Sequence, residues 1–530
     1  MLFLLVLFAV ALRAIAALTR KMIQLDETAY VRMAENLAAG RGLLDITGLT
    51  ATHFSPLPSF YIAGLAVLVR NYVFAGYAVV AIFGGLILIP TYLLGRDLAG
   101  ERVGLMAAAL MAVTPIFVDY SSLIYSESVY IFFLLMGILF GYRMLRTSRA
   151  GHGVAAGAAL GLAYLANPSA IFYLFALAAL AMIVAAVRKI PRLLPGTLIP
   201  FLLVFAVFAV PYVVFLHSQT GQWSYNGKLN AGNVYSSQHN ITANTLEWDK
   251  TFLSLTAGGS QIMIQSLPEE DLVSYILKHP LSSAKTFVKQ TADAYSQELP
   301  KVIPLWLLPL LGLGLFASGW SRRRLLDVGY LLLMMAPVVV ILAMYAHDRF
   351  FMPFVPLVMI WVAEGWSRLA RWGQETVSQV FSGSRRERLR RWTPWVIGAV
   401  VLAPLLAYSM FTVERQTYPV GYRDAGEYIR QLAGSGQRVM SREYSAAFYA
   451  GGTAVLLPYA KYGRTTEYAR RENVDFLVIG SRELADWRPT LARLAGDSGH
   501  PDWKLVGRVR PGTSQETLIF QLKPAAAGAE

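Results

Sequence analysis

The 530-residue chain is 55% hydrophobic and only 15% charged, with a mean hydropathy of +0.46. Soluble domains carry about 25% charged residues, so this composition excludes an ordinary soluble protein and indicates a polytopic membrane protein. The net charge of +14 would point to nucleic acid in a soluble chain, but here the arginines cluster between hydrophobic segments and report membrane topology, with no nucleic-acid partner expected.

Met1–Leu18 is the first apolar segment. It lacks a basic n-region and further spans follow it, so it reads as a retained transmembrane helix rather than a signal peptide. A first loop, 20–70, carries juxtamembrane helices: Ala29, Met33, Leu37 and Ala38 recur at helical spacing, as in a helix lying on the membrane interface. Pro56-Leu57-Pro58 opens the run Leu57–Val69, too short to span and read as interfacial or re-entrant. Spans of about membrane length follow at 73–94, 103–119, 128–144, 153–167, 169–187 and 196–216. The polar loop 217–300 is long enough to be functional, and its helical pattern from Asp271 to Glu298 breaks at His279-Pro280. Spans at 302–318, 326–345, 351–366 and 394–412 bring the total to about eleven.

Loop charges orient this set. Arg96/Arg102, Arg143/Arg146/Arg149, Arg188/Lys189/Arg192, Arg322/Arg323/Arg324 and the run Arg385 to Arg391 occupy every second loop, provided that 57–69 does not cross. That side is expected to be cytoplasmic, with the N-terminus inside and loops 20–70 and 217–300 and the tail outside. The chain then divides into a membrane domain, 1–413, and an extracytoplasmic domain, 414–530. In the tail, 438–440, 454–457, 475–479, 503–509 and 516–522 have strand patterns, with helical patterns at 461–472 and 483–495. This predicts a small α/β domain with a partly parallel sheet; its Gly451-Gly452 belongs to no phosphate-loop or dinucleotide motif.

Candidate chemistry lies at the segment boundaries. Asp26 and Glu27 form a carboxylate pair just past the first span, a position an ordinary polar loop also explains. Glu127, in Tyr125-Ser126-Glu127-Ser128, lies between two apolar segments, where ionisable groups are costly and usually functional; Asp119 more simply caps its segment. In His347-Asp348-Arg349, the guanidinium at a span's end can either grip a lipid phosphate bidentately or snorkel to headgroups. His53 offers an imidazole beside the Leu57–Val69 run. No metal-ligand spacing appears, and the absence of cysteine excludes thiolate sites, disulfides and cysteine nucleophiles. Tyr30, Tyr61, Tyr120 and Tyr125 fit an aromatic belt better than a sugar platform.

Four stretches, in order, resemble the GT-C glycosyltransferases that use polyprenyl-phosphate sugars, among them relatives of protein O-mannosyltransferases and lipid A aminoarabinose transferase. Asp26-Glu27-Thr28-Ala29-Tyr30, with Ala34-Glu35-Asn36-Leu37-Ala38-Ala39-Gly40 behind it, is similar to the first-loop acidic motif. His53-Phe54-Ser55-Pro56-Leu57-Pro58 resembles the His/Lys-Pro-Pro-Leu stretch, Tyr125-Ser126-Glu127-Ser128 the second acidic motif, and His347-Asp348-Arg349-Phe350-Phe351-Met352-Pro353 the late His-x-Arg-Tyr-x-x-Pro signature. The resemblance covers about the first 370 residues. It departs at Ser55, where aminoarabinose transferases carry a phosphate-binding lysine.

The resemblance implies an inverting transfer of a monosaccharide from a lipid phosphate to an acceptor hydroxyl, in a bacterial or archaeal plasma membrane. Asp26 would be the general base and Glu27 and Glu127 would orient hydroxyls. Arg349, with His53 and His347, would bind the donor phosphate. The implied partners are the polyprenyl-phosphate sugar, membrane lipids and an acceptor protein, lipid or envelope glycan; no cofactor or divalent metal is expected. A lipid or oligosaccharide transporter is the competing class, but it would place charges near the bilayer midplane in paired repeats, whereas these acidic residues cluster toward one face. An oligosaccharyltransferase-like enzyme with a pyrophosphate donor and a metal is the other alternative.

Overall fold

The computed structural model describes residues 1–189, 194–227, 245–262, 272–317, 319–344, 346–414, 418–495 and 500–524. Arg192 and, within the long loop, 228–244 and 263–271 lie outside the described residues. The chain forms two compact units. One comprises Met1–Arg20, Ser55–Gly227 and Phe287–Gln416; the other comprises Lys21–Phe54, Lys228–Thr286 and Thr417–Glu530.

The first unit is helical, as lipid requires of any open segment: no water is available to satisfy backbone N–H and C=O groups, so they must pair within the segment. Among the described residues, six helices are long and apolar enough to cross a membrane: Tyr72–Ala99, Glu127–Thr147, Ala170–Val187, Pro195–Thr220, Arg322–Leu342 and Gly383–Val413. Pro280–Val302 and Leu305–Phe316 form a bent pair that makes a seventh if taken as one span. Leu2–Leu18, Leu57–Val69 and Ala150–Ala166 are shorter apolar helices. The protein is a multi-pass membrane protein, and among the described residues each of the eleven predicted segments overlaps helix; 318 and 345 lie outside those residues.

Two details show how the helices are held. The segment predicted at 103–119 is broken into Glu101–Ala112 and Pro115–Tyr120 by a proline that cannot donate to the helix ladder. Arg13, fully buried within Leu2–Leu18, covers the carbonyls freed at that break, donating to Ala112 O at 3.0 Å and Met111 O at 3.2 Å. Elsewhere the helices Leu308–Phe316 and Val355–Val380 meet backbone to backbone. A Cβ at Gly314 would lie 1.9 Å from Trp361 O, and one at Gly365 would lie 1.8 Å from Leu310 O. Small residues at such contacts are the usual device of membrane helix pairs.

The second unit is built on a five-stranded sheet. β1 (Arg438–Ser441), β2 (Thr453–Leu456), β3 (Phe476–Gly480), β4 (Trp503–Val509) and β5 (Thr517–Leu522) run in the order β2-β1-β3-β5-β4. β1 pairs in parallel with β2 and β3, while β5 is antiparallel to both β3 and β4. The sheet is therefore partly parallel, and its five strands match the five predicted. β3 is buried along its whole length, as a central strand covered on both faces must be.

The alternation of side chains splits the core in two. Val439, Ala454, Phe476, Val478 and Ile519 face the helices Val420–Ala433 and Ser445–Tyr449; Met440, Val455, Leu477, Ile479 and Phe520 face the opposite side. Each core takes a residue from far away in sequence: Ile46 joins the first, and Leu253 and Ile262 join the second. Backbone bonds secure both insertions, Ala454 N–H donating to Ile46 O at 2.9 Å and Tyr459 N–H to Leu253 O at 2.8 Å.

A buried ionic cluster fastens the long-loop helix Thr245–Phe252 to the tail. Asp249 lies 3.1 Å from Arg488 and 3.2 Å from Arg442, and Arg488 in turn lies 3.6 Å from Glu483. Asp249 and Arg488 are both fully buried, so removing one leaves the other charge desolvated. Asp249→Ala is expected to destabilise this unit by about 3–5 kcal/mol. Thermal unfolding and amide exchange of Thr245–Phe252 measure it; unchanged protection would refute the anchoring role.

Candidate functional site

Asp26 and Glu27 occupy the first turn of the helix Leu25–Ala38 in the second unit. Glu27 Oε2 accepts the Gln24 N–H at 2.7 Å, the reach-back bond of a capping box. That bond separates the pair's roles. Glu27 is fully buried and engaged in starting the helix, whereas the Asp26 side chain is half-buried at a helix N-terminus, where unpaired N–H groups favour a carboxylate. The same helix is tied to the tail: Arg32 donates to Gly452 O at 3.3 Å, and just before it Ile23 N–H donates to the Tyr449 hydroxyl at 3.0 Å. His53 belongs to this unit as well; it is exposed and 3.4 Å from Thr52 Oγ1.

Glu127, His347 and Arg349 come together in the helical unit. Glu127 begins the helix Glu127–Thr147, and its carboxylate is 3.9 Å from Arg349 Nη1. That distance exceeds a hydrogen bond, so the attraction is through space. The guanidinium also lies over the Phe350 ring, 5.3 Å from its centre.

The backbone beneath Arg349 is fixed by its neighbour. Asp348–Phe351 is a short 3-10 turn, in which Asp348 Oδ1 accepts the Arg349 N–H at 2.6 Å. The Tyr120 hydroxyl donates to the same oxygen at 2.9 Å, and His347 Nδ1 lies 2.7 Å from it. Burial pushes the Asp348 carboxyl up, but His347, the Tyr120 hydroxyl and the Arg349 N–H together hold it below the usual aspartate value. Asp348 thus links two turns distant in sequence, the one bearing Tyr120 and the one bearing Arg349.

Asp119 does more than cap a segment. It pairs with Arg20 at 2.7 Å, and the Arg20 guanidinium, with no side-chain exposure, also bonds Ser122 Oγ at 2.5 Å. Ser121 and Ser128 join across the same turn at 2.9 Å. The connection between Tyr120 and Glu127 is therefore braced from the end of the first helix. Arg20 and Asp348 were not among the predicted site residues. The signal for Arg20 was a cation directly behind an apolar segment, and for Asp348 its place between two candidates. Among the described residues no group of three or more His, Asp or Glu is placed to hold a metal ion.

Residues 53–215 match the sequence model of the dolichyl-phosphate-mannose-protein mannosyltransferases. No curated protein matches the chain significantly by sequence. The Archaeoglobus fulgidus oligosaccharyltransferase in its apo form superposes with a TM-score of 0.60 at 14% identity, over 91% of this chain and 69% of that one. Cupriavidus metallidurans ArnT in the apo state gives 0.60 at 13% identity, and ArnT bound to undecaprenyl phosphate gives 0.56 at 15%. Both ArnT comparisons cover 100% of this chain and 99% of that one. The chain has the GT-C glycosyltransferase fold. The mannosyltransferase match includes Glu127 and the turns around it.

Asp348→Asn is expected to lower stability by about 1–3 kcal/mol, the range for a charge-assisted hydrogen-bond group that is largely but not fully withdrawn from water. Because the folded carboxyl titrates below its unfolded value of about 3.9, this contribution is complete at neutral pH and fades as pH falls through that region. The gap between thermal melts of the two proteins is expected to narrow as pH is lowered from about 7 toward and below the usual aspartate range. A constant gap would show that Asp348 charge is not the source.

Proposed function

We propose that this protein is an inverting glycosyltransferase that moves a monosaccharide from a polyprenyl-phosphate donor to an acceptor hydroxyl at the outer membrane face. What carries the reading is Arg349 beside Glu127 on a turn set by Asp348, Tyr120 and His347, in a chain of GT-C fold. The similarity to ArnT, described bound to undecaprenyl phosphate, supports a lipid monophosphate donor.

A guanidinium is planar and always charged, which suits two phosphate oxygens at once. As the bond from the anomeric carbon to the phosphate oxygen breaks, negative charge grows on the departing lipid phosphate, and Arg349 offsets it. His347 sits beside that arginine, and His53 supplies a second imidazole for the phosphate. Glu127 orients sugar hydroxyls. The acceptor oxygen forms the new bond to the anomeric carbon from the opposite face, and its proton passes to Asp26. Glu27, committed to the Gln24 N–H, holds the turn that presents Asp26.

Transfer is measured in proteoliposomes with a synthetic polyprenyl-phosphate sugar. Asp26→Asn is expected to lower turnover by about 10²–10⁴-fold with fold and donor binding retained. Near wild-type turnover in that variant would overturn the base assignment. The fold shared with the A. fulgidus oligosaccharyltransferase keeps a second reading, the oligosaccharyltransferase-like enzyme, for which the sequence alternative implies a pyrophosphate donor and a divalent metal. Excess EDTA separates the two. The first predicts unchanged turnover and the second predicts its loss.

A further inference from the structure

At the far end of the helical unit from Glu127 and Arg349, three carboxylates are each shared by two arginines. Asp97 lies 3.1 Å from Arg96 and 2.7 Å from Arg143. Asp327 lies 3.5 Å from Arg146 and 3.7 Å from Arg323. Glu364 is 2.7 Å from Arg324 and 2.9 Å from Arg368. Each group keeps one positive charge in excess, so the cluster attracts anions without burying an isolated cation.

A cavity of about 250 Å³ opens among these groups, lined by Ser321, Arg323, Arg324, Asp327 and Glu364. A second, of about 340 Å³, shares Ala99 and Glu364 with it and adds Glu101, Arg102, Ser367 and Arg371. The first cavity lies at the N-terminus of the helix Arg322–Met344, whose dipole also favours an anion. That helix has 23 residues and ends just before His347, which puts the cavity about 34 Å from the Arg349 turn at 1.5 Å per residue.

We infer that these neighbouring cavities bind the headgroup of an anionic phospholipid. A lipid fits better than a soluble anion because apolar side chains continue from the polar rim. Phe316, Leu325, Leu326 and Leu332 are all more than half exposed, and they give acyl chains a surface that begins where the arginines end. A phosphodiester in these cavities meets Arg323, whose contact with Asp327 is a loose 3.7 Å, and Arg371 on the wall of the second. The site also explains a local conflict: Glu364 lies within an otherwise apolar stretch of Val355–Val380 and holds two arginines at the cavity wall.

The test titrates the purified full chain in detergent with phosphatidylglycerol or phosphatidylcholine and reads bound lipid by native mass spectrometry. Wild-type protein is expected to retain phosphatidylglycerol preferentially. Arg323→Gln/Arg371→Gln should weaken that binding by about tenfold or more and leave phosphatidylcholine unchanged. Arg386→Gln/Arg388→Gln, in the separate basic run, should leave both unchanged. Equal loss in both double variants, or none in the first, would overturn the site. Inorganic phosphate competing as strongly as the lipid would overturn the lipid assignment. Should the first double variant fail to fold, Arg371→Gln alone must still show a several-fold loss, and its absence would refute the proposal.

Discussion

One carboxylate oxygen, Asp348 Oδ1, organises the candidate site of the helical unit. It takes the Arg349 N–H, the Tyr120 hydroxyl and the His347 ring at once. Since the chain before Glu127 is braced on Arg20 and the chain before Arg349 on Asp348, the two groups approach within 3.9 Å although over two hundred residues separate them. A carboxylate and a guanidinium held loosely, on rigid turns, can exchange part of their mutual attraction for a charged ligand. A tight bidentate pair would resist that exchange.

The first acidic motif is organised by a different force. Leu25–Ala38 starts on a capping box, and Arg32 and the neighbouring Ile23 tie it to tail residues. The residue proposed as base therefore rides on a unit whose sheet lies more than four hundred residues downstream. Ile46 from the first loop and Leu253 from the long loop each complete one of that sheet's two cores. Substitutions in the tail core are thus coupled physically to the support of Asp26.

Much of this was readable from residue patterns, for physical reasons. Membrane helices declare themselves because lipid demands continuous apolar length, and the tail strands because alternate side chains face separate cores. The charge alternation also set Leu57–Val69 apart from the spans, and the helix there has only 13 residues. Partnerships across long separations were not readable. Glu27 as a cap, Asp119 with Arg20 and Asp348 with Tyr120 each depend on which turns meet. Arg13, inside an apolar segment, is itself a signal, but its partners are carbonyls, and every residue type supplies those.

The proposed reaction depends most on where a lipid phosphate binds. A cryo-EM structure of the full chain in lipid nanodiscs with added polyprenyl phosphate tests it directly. Density for the phosphate is expected within hydrogen-bond distance of the Arg349 guanidinium, beside Glu127. Well-defined phosphate density elsewhere, with the Arg349 turn empty, would contradict it.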